Sequence, residues 1–329
     1  MQTFNFIYEV IKNNNSFLLT THVNPDADAI GSEIALYQIL KKLNKKVFVI
    51  NHSETPDNLI FLDEDKIIEQ YNPDIHDQIM NSVDVVFILD LNRLNRTVSM
   101  ERILRSLTKP IICIDHHQDP EDFTPHHYGG IDYSSTGSII FKMNKELNLV
   151  ELDKSIALPI YAAVYTDTGG FRYERTTPET HYMAAELLSA DVDPNYVCEM
   201  IYEKSKISKI KLLGEILNTL TLIENDQICY MKVTREMFEK TGAKDNDTEG
   251  FINYTLSIEG VKIGLLFYEV KHGIKISFRS RDNSYINKLA AEFGGGGHIY
   301  AAGARIIDGT LDDYIPKILS AAKKYLKQN

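Results

Sequence analysis

The segment THVNPDADAIGS, residues 21–32, separates an apolar run from an amphipathic pattern, and it decides the fold of the first half of the chain. The run before it, residues 16–21 (SFLLTT), has the length and composition of a buried strand. The apolar residues after it lie on one helical face: Leu36, Ile39, Leu40 and Leu43. Their i, i+3, i+4, i+7 spacing predicts a helix over 32–43, so we expect a strand, a polar loop and a helix in succession.

The same alternation continues along the first half. Further apolar, β-branched runs of strand length occupy residues 47–50, 83–89 and 111–114. Helical patterns separate these runs, which indicates βαβ units and a mostly parallel sheet. Residues 155–190 are predicted to be largely helical, with an interruption at 166–172 (TDTGGFR).

The second half of the chain has a different organisation. Residues 193–221 are polar and mostly helical, and we interpret them as a connector after a first domain over 1–192. Strand-like runs and a last helix follow at residues 227–233, 261–270, 274–279 and 311–327. We therefore expect an N-terminal α/β domain, whose sheet is flanked by helices, and a smaller α+β domain over 222–329.

Composition excludes several classes of protein. The 329 residues are 43% hydrophobic, and 35 Lys and Arg against 46 Asp and Glu give a net charge of −11. A net-acidic chain binds long nucleic acid poorly, although a local basic group can still bind a short anion. The cysteines, Cys113, Cys198 and Cys229, are scattered and form no CxxC, which favours a reducing cytoplasm. We expect neither secretion nor membrane insertion, because no leader-like or long apolar segment is present.

Polar side chains follow the predicted strands of the first domain. Asp26 and Asp28 come after the predicted strand 16–21, Asp90 after 83–89, and Asp115-His116-His117 after 111–114. Carboxyl ends of parallel strands meet at one edge of a sheet, where ligands bind. We interpret the small residues of the first loop, Ala27, Ala29 and Gly31, as room for a ligand. The alternatives are an N-cap turn with solvated carboxylates for the first loop and an ordinary strand-end cap for Asp90.

Asp167, in the TDTGGFR interruption, is a further candidate. A carboxylate is unfavourable near the negative end of a helix dipole, so an ordinary helix end explains this residue poorly. Together with His22, these residues offer carboxylates, which hard divalent cations prefer, and imidazoles, which Mn²⁺ also accepts.

Four motifs occur in this order: HxxPDADAIGS, an Asp after the next strand pair (Asp90), DHH and DTGGF. Together they resemble the DHH phosphoesterase superfamily. Residues 293–303 (FGGGGHIYAAG) are similar to the signature of the DHHA1 domain. The resemblance covers nearly the whole chain. It is strongest to the short stand-alone members that act as nanoRNases (oligoribonucleases) and as phosphatases of 3′-phosphoadenosine 5′-phosphate (pAp).

This resemblance implies a role for each matching residue. Two divalent cations, Mn²⁺ first and Mg²⁺ as an alternative, would lie about 3.5–4 Å apart. One would be bound by His22, Asp26, Asp90 and Asp167, and the other by Asp28, Asp90, His116 and Asp167. Asp115 would orient a ligand, and His117 would face the substrate phosphate as a hydrogen-bond donor or proton source.

The second domain would bind the substrate. Lys275, Ser277, Arg279 and Arg281 alternate along one predicted strand and share a face. Arginine suits bidentate phosphate binding, and backbone N–H groups of glycines can approach an anion closely. The predicted substrate-binding residues are Arg279, Arg281, Gly295, Gly296, Gly297 and His298. The alternatives are a solvated strand face and a merely flexible glycine run.

The resemblance implies hydrolysis of short linear oligoribonucleotides, such as pApA and pGpG, to mononucleotides, and dephosphorylation of pAp to AMP. The partner would be this short nucleotide, not long nucleic acid or a membrane, and a homodimer is expected on base rates. A cyclic dinucleotide phosphodiesterase stays open. A family II pyrophosphatase and a RecJ-type exonuclease fit less well. A catalytically inactive nucleotide- or RNA-binding module is disfavoured, because every matching ligand position is intact.

Overall fold

The computed structural model describes residues 4–282 and 284–326, except for the side chain of His298. The chain divides into two compact units, Met1–Lys204 and Ser205–Asn329. This division falls inside the predicted connector over 193–221, and the predicted domain boundaries stay a prediction.

The first unit alternates strands and helices, as the periodicity predicts. Its strands are β1 (Ser16–Thr20), β2 (Lys46–Asn51), β3 (Ile68–Gln70), β4 (Val85–Leu89), β5 (Ile111–Asp115) and β6 (His126–Gly129). Its helices are α1 (Asn5–Asn13), α2 (Ala27–Lys42), α3 (Pro73–Ser82), α4 (Glu101–Ser106), α5 (Thr136–Leu147), α6 (Lys154–Asp167), α7 (Pro178–Ser189) and α8 (Pro194–Cys198). Short 3₁₀ helices occupy Asp57–Leu62 and Leu94–Met100, and a π-helical turn occupies Glu199–Glu203.

The six strands form one parallel sheet in the order β3-β2-β1-β4-β5-β6. The predicted α/β class with a mostly parallel sheet is confirmed. The strand order reverses between β1 and β4, and the loops at such a switch point part to open a crevice at the carboxyl edge. Thr20 pairs with Ile88, and Leu89 pairs with Ile114. The ends of β1, β4 and β5 are therefore nearly level, and their loops leave the sheet at the same edge.

Both faces of this sheet are buried, which explains the continuous apolar runs. Phe17, Leu19 and Phe87 pack in a core with apolar side chains of α2, α5 and α6. Leu18 and Val86 point the other way, into a second core with residues of α3 and α4. The polar loops after the strands are consequently held by a rigid support.

Gly31 serves packing between helices rather than ligand space. A Cβ at this position would lie 2.3 Å from the carbonyl oxygen of Pro159 in α6. Ala27 and Ala29 are buried as well. The interpretation of these small residues as room for a ligand is therefore wrong at Gly31, where the close neighbour is backbone.

Glu33 is a fully buried carboxyl group on α2. Its Oε2 accepts a hydrogen bond of 2.7 Å from Nδ2 of Asn51, and its Oε1 has no hydrogen-bond partner among the described residues. Burial, opposed by the Asn51 bond and aided by Asp63 and Asp90, raises the pKa of Glu33 to about 8. The folded pKa exceeds the unfolded one, so folding takes up a proton. The contribution of Glu33 to folding stability is present at low pH, and it is lost as the pH rises from about 4.5 to 8.

Substituting Glu33→Gln should therefore stabilise the protein at high pH. We expect a gain of roughly 2–4 kcal/mol at pH 9 that becomes small near pH 5, because the amide has no charge to bury. Equilibrium urea unfolding at both pH values measures it, with the exposed Glu54→Gln as the matched control. A difference from wild type that does not change with pH would contradict this account of Glu33.

The second unit is a mixed α+β fold, as predicted. Its strands are β7 (Thr221–Ile223), β8 (Ile228–Val233), β9 (Ile263–Val270), β10 (Gly273–Ser280), β11 (Gly296–His298) and β12 (Ala301–Ile306). Its helices are α9 (Ile207–Leu217), α10 (Arg235–Thr241), α11 (Asn253–Leu256), α12 (Ile286–Glu292) and α13 (Leu311–Ala322), with 3₁₀ turns at Asp245–Thr248 and Lys323–Tyr325. The sheet order is β11-β12-β10-β9-β8-β7, and only β8 and β9 pair in parallel among the described strands.

The glycine tract forms the edge of this sheet rather than an open loop. Gly296 and Gly297 pair with Gly303 and Ala302 of β12 in antiparallel register. A Cβ at Gly295 would lie 2.2 Å from the carbonyl oxygen of Gly303, and Gly297 has a left-handed φ of 142°. Close backbone approach therefore accounts for the absence of side chains at Gly295 and Gly297, whatever ligand the edge of the sheet binds.

Two further observations concern membrane-spanning helices and cysteine thiols. Within the described ranges, no helix combines the length and the apolar character that crossing a bilayer requires. Cys113, Cys198 and Cys229 all have free thiols.

Candidate metal centre

The loop after β1 is shaped by a helix cap. Asp26 precedes α2, and its Oδ1 accepts hydrogen bonds of 3.1 Å from the backbone N–H groups of Asp28 and Ala29. The cap that we weighed as an alternative therefore exists, and it leaves Oδ2 of Asp26 for another partner. Upstream, Nδ1 of His22 lies 2.9 Å from the carbonyl of Val23. A carbonyl only accepts, so Nδ1 carries a proton, and Nε2, which lies 3.4 Å from Oδ2 of Asp90, is the nitrogen that could bind a cation once it is deprotonated.

Asp28 is fully buried and clamps the start of α5. Its Oδ2 accepts from the N–H of Thr136 at 2.7 Å, and its Oδ1 accepts from the N–H of Gly137 at 2.9 Å. Ser135 caps the same helix, so these donors are first-turn N–H groups that favour an anion. Neither Thr136 nor Gly137 was predicted as part of the site from the sequence. The SSTG stretch signals a helix start, but nothing in it points to Asp28, more than 100 residues away.

Asp90 follows β4 in a conformation that few non-glycine residues adopt. Its φ is 56°, in the left-handed region, and its N–H donates to the carbonyl of Ile114 at 2.9 Å. Oδ1 accepts from the hydroxyl of Thr136 at 2.9 Å, and Oδ2 lies 3.4 Å from Nε2 of His22. Backbone strain of this kind is frequent at functional sites, where the surrounding structure holds the residue in place.

The two histidines of the Asp-His-His motif at the end of β5 have different partners. His116 is buried, and its Nε2 lies 3.0 Å from Oδ2 of Asp167 and 3.5 Å from Oδ1 of Asp90. Nδ1 of His117 lies 2.6 Å from Oδ1 of Asp115 and 3.7 Å from Oδ1 of Asp90. Burial opposes ionisation of Asp115, but hydrogen bonds from His117 and His127 outweigh it and lower its pKa to about 2. Asp115 is therefore an anion that fixes the ring of His117.

The predicted ligands come together at the carboxyl edge of the sheet. Among the described residues, three groups of side chains have ligand atoms within 4.8 Å of one another: His22/Asp26/Asp90, Asp28/His116/Asp167 and Asp90/His116/His117. The first two groups correspond to the two expected ligand sets, except that Asp167 is absent from the first and Asp90 from the second. Assignment of these side chains to individual ions stays a prediction.

The electrostatics of this cluster fit divalent cations. Burial, together with the carboxylates of Asp90 and Asp167, raises the pKa of Asp28 well above its usual range. Burial has the same effect on Asp90, but the hydrogen bond from His22 and the two neighbouring histidines hold its pKa well below the usual range. The site concentrates four carboxyl groups away from water, and carboxylate oxygens with imidazole nitrogens are suitable donors for a divalent cation.

In the second unit, the predicted basic face is present on β10. Lys275, Ser277 and Arg279 alternate with the buried Ile276 and Phe278. Arg281 follows the strand, and its guanidinium donates to the carbonyl of Leu256.

The register of the sheet extends this face. Lys275 pairs with Arg305 of β12, and Ser277 pairs with Gly303, which in turn pairs with Gly296. Arg305 is exposed and was missed by the sequence analysis, although its alternation with Gly303 in a predicted signature was a usable signal. The side chain of His298 lies outside the described part of the chain. Substrate binding by these residues stays a prediction.

Comparison with known proteins identifies the family. Residues 16–164 match the DHH family, N-terminal domain, and residues 225–328 match the DHHA1 domain. The bifunctional oligoribonuclease and PAP phosphatase NrnA of Thermus thermophilus is 30% identical over 308 residues, which are 94% of this chain and 89% of the relative. The chain belongs to the DHH family.

Two other similarities support this placement in the DHH family. A protein of the same name from Bacillus subtilis is 29% identical over 301 residues, 89% of this chain and 90% of the relative. The crystal structure of an exopolyphosphatase-related protein from Bacteroides fragilis has a TM-score of 0.93 and 32% identity, covering 98% of this chain and 95% of that one. The resemblance stated from the sequence motifs is therefore confirmed.

We call the side chains of the three candidate ligand groups the DHH cluster. One contact of this cluster was not predicted. Nη1 of Arg175 lies 2.7 Å from Nδ1 of His116. A guanidinium only donates, so in this arrangement Nδ1 accepts and the ring proton is on Nε2. Burial disfavours a charged ring, but the carboxylates of Asp167, Asp28 and Asp90 outweigh it and raise the pKa of His116 to about 10. A doubly protonated ring could not accept from Arg175, so the guanidinium and a proton compete for Nδ1.

This competition predicts that Arg175→Gln strengthens cation binding. His116 can ligate through Nε2 only if Nδ1 carries the proton, which requires Arg175 to withdraw; a glutamine carbonyl would accept that proton instead. We expect Mn²⁺ to bind roughly tenfold more tightly, as outer partners of ligating histidines typically shift affinity by that order. Calorimetric titration measures it. Arg172→Gln, in the same loop, is the control, and equal or weaker binding by Arg175→Gln would refute the competition.

Proposed function

We propose that this chain is a divalent-cation-dependent phosphoesterase that hydrolyses short linear oligoribonucleotides, such as pApA, pGpG and nanoRNA, to mononucleotides. It would also remove the 3′-phosphate of pAp to give AMP. The observation that carries the proposal is the buried cluster in which Asp90 and His116 each belong to two candidate ligand groups. Membership of the DHH family and the names of the Thermus thermophilus and Bacillus subtilis relatives support the reaction and the substrate class.

Two Mn²⁺ ions are the proposed cofactors, with Mg²⁺ as the alternative. The mixed set of carboxylates and imidazoles supports Mn²⁺, since Mg²⁺ prefers oxygen ligands alone. The proposed ligands are His22, Asp26, Asp28, Asp90, His116 and Asp167. Bound divalent cations supply an activated water and stabilise negative charge on phosphoryl oxygens.

His117 is the proposed proton source. Hydrolysis joins a water oxygen to phosphorus and breaks the bond from phosphorus to the sugar oxygen, which must gain a proton. Asp115 fixes Nδ1 of His117 at 2.6 Å, which leaves Nε2 as the nitrogen that can donate.

The second unit is proposed to bind the substrate through the part of its sheet face formed by β10 and β12. Lys275, Arg279 and Arg305 supply positive charge to the same face of β10 and β12, and Gly303 between them leaves the backbone accessible. A short anion needs only such a local group, and the net charge of −11 disfavours long polyanions. A cytoplasmic location and a homodimer stay predictions.

Turnover with Mn²⁺ on a matched panel tests the proposal. The panel contains pApA, pGpG, pAp, RNA of increasing length, cyclic di-AMP, cyclic di-GMP and pyrophosphate. We expect the dinucleotides to be hydrolysed fastest, with a steep fall as RNA length increases. A cyclic dinucleotide or pyrophosphate as by far the best substrate would overturn the substrate class, although the cation chemistry would survive. Absence of turnover on the whole panel would favour a binding module.

A further inference from the structure

The loop after α6 lies directly against the DHH cluster. Asp167 ends the helix and contacts Nε2 of His116, while Arg175, eight residues later, contacts Nδ1 of the same ring. Both ends of this loop are therefore anchored on the same ring. Three successive residues, Gly169, Gly170 and Phe171, have left-handed φ angles of 59°, 69° and 61°.

This loop is tightly held rather than open. The carbonyl of Thr168 accepts from the N–H groups of Arg172 and Tyr173 at 2.8 and 2.9 Å. Nε of Arg172 donates to the carbonyl of Gly169 at 2.6 Å. The position of Tyr173 is consequently set by local hydrogen bonds.

One face of the Tyr173 ring packs on the loop backbone, and the other face is free for a ligand. A Cβ at Gly169 would lie 2.4 Å from Cζ and 2.6 Å from both Cε atoms of the Tyr173 ring. These similar distances place a face of the ring on the glycine backbone, so a side chain at position 169 would have to displace the Tyr173 ring. Despite this contact, Tyr173 is 52% exposed. An isolated exposed tyrosine needs no explanation, but this one is held flat beside a cluster of candidate ligands.

Other aromatic residues extend the patch. Tyr202 is 51% exposed, and its ring centroid lies 6.0 Å from that of Tyr165, which itself packs on Phe171. Burial, together with the hydroxyls of Tyr165 and Tyr173, raises the pKa of Tyr202 to about 12. The Tyr202 phenol is therefore neutral near pH 7 and lies close to the hydroxyls of Tyr165 and Tyr173.

We propose that Tyr173 is a stacking platform for a nucleobase of the nucleotide whose phosphate lies at the cluster. This inference rests on the proposed function and specifies how that site holds its substrate. Every base has a π-face, so stacking gives affinity without demanding one base sequence. An enzyme that finishes the degradation of mixed short RNA needs such tolerance, and hydrogen-bond readout of base edges would oppose it.

Binding of AMP and ribose 5-phosphate separates the base from the rest of the nucleotide. Both ligands are titrated calorimetrically into the full chain with Mn²⁺, using wild type, Tyr173→Ala and Tyr173→Phe. Wild type should bind AMP more tightly than ribose 5-phosphate. Tyr173→Ala should lose about 5- to 100-fold in AMP affinity without a change for ribose 5-phosphate, and Tyr173→Phe should keep both values. Tyr182→Ala, 72% exposed on α7, is the matched control and should resemble wild type.

Fluorescence of 2-aminopurine riboside 5′-monophosphate adds a direct measure of stacking. The fluorescence should be quenched on binding to wild type and Tyr173→Phe, and not on binding to Tyr173→Ala. Equal losses for AMP and ribose 5-phosphate would reduce Tyr173 to a structural role and overturn the proposal, as would wild type without a preference for AMP. Base-dependent binding through Tyr173 without hydrolysis of dinucleotides would instead overturn the proposed function and leave the stacking platform intact.

Discussion

Asp90→Ala should lower kcat/KM on a dinucleotide by at least about a thousandfold, because its loss removes several kcal/mol of charge stabilisation. Asp90 belongs to two of the three candidate ligand groups and contacts both His22 and His116. A single substitution therefore weakens both proposed cation sites. Steady-state turnover with saturating Mn²⁺ measures the effect, and retention of more than a few per cent of wild-type activity would contradict this role.

Two further variants separate lost chemistry from lost folding. Asp90→Asn keeps the shape of the side chain, tolerates the left-handed φ of 56° and preserves an acceptor for Thr136, yet it removes the charge. It should therefore stay folded and be almost as inactive as the alanine variant. Asp63→Asn is the matched control, since Asp63 is also buried. Within the described residues, the hydrogen bonds of Asp63 come only from the backbone N–H groups of Ile67 and Ile68. It should lose stability and keep turnover.

Removal of divalent cations should abolish turnover and destabilise the first unit. Burial and two neighbouring carboxylates raise the pKa of Asp28, so the cluster is electrostatically unfavourable without added positive charge. Mn²⁺ at about 100 times its Kd should stabilise the fold by roughly 2.7 kcal/mol, which corresponds to an increase in Tm of about 5–10 °C for a domain of this size. Differential scanning calorimetry after dialysis against a chelator, with and without added Mn²⁺, measures it.

The same experiment has a dependence on pH. Asp28 must give up the proton that burial favours before it can ligate, so cation binding releases protons and apparent affinity rises with pH. Asp90→Asn should show little increase in Tm with Mn²⁺. Full activity in a sample whose metal content has been shown to be negligible would refute the proposed cation dependence.

Much of the first unit could be predicted because its strands are buried on both faces. Such strands are continuous apolar runs, and the parallel connection through helices follows from their alternation with helical periodicity. The short strands β3 (Ile68–Gln70) and β6 (His126–Gly129) were not predicted. Each is mostly half-buried or exposed, so neither carries a run of apolar residues. Edge strands are formed by the sheet beside them more than by their own sequence.

The sequence by itself determined the edge of the sheet at which Asp26, Asp28 and Asp90 meet, because the direction of parallel strands places all their carboxyl ends together. Only the tertiary structure decided the finer contacts. Thr136 on Asp28, Arg175 on His116 and the ring of Tyr173 on Gly169 depend on how helices and loops pack. Periodicity and propensity describe short windows of the chain. Contacts across many residues, like that of Thr136 with Asp28, depend on the packing of distant segments, which no short window records.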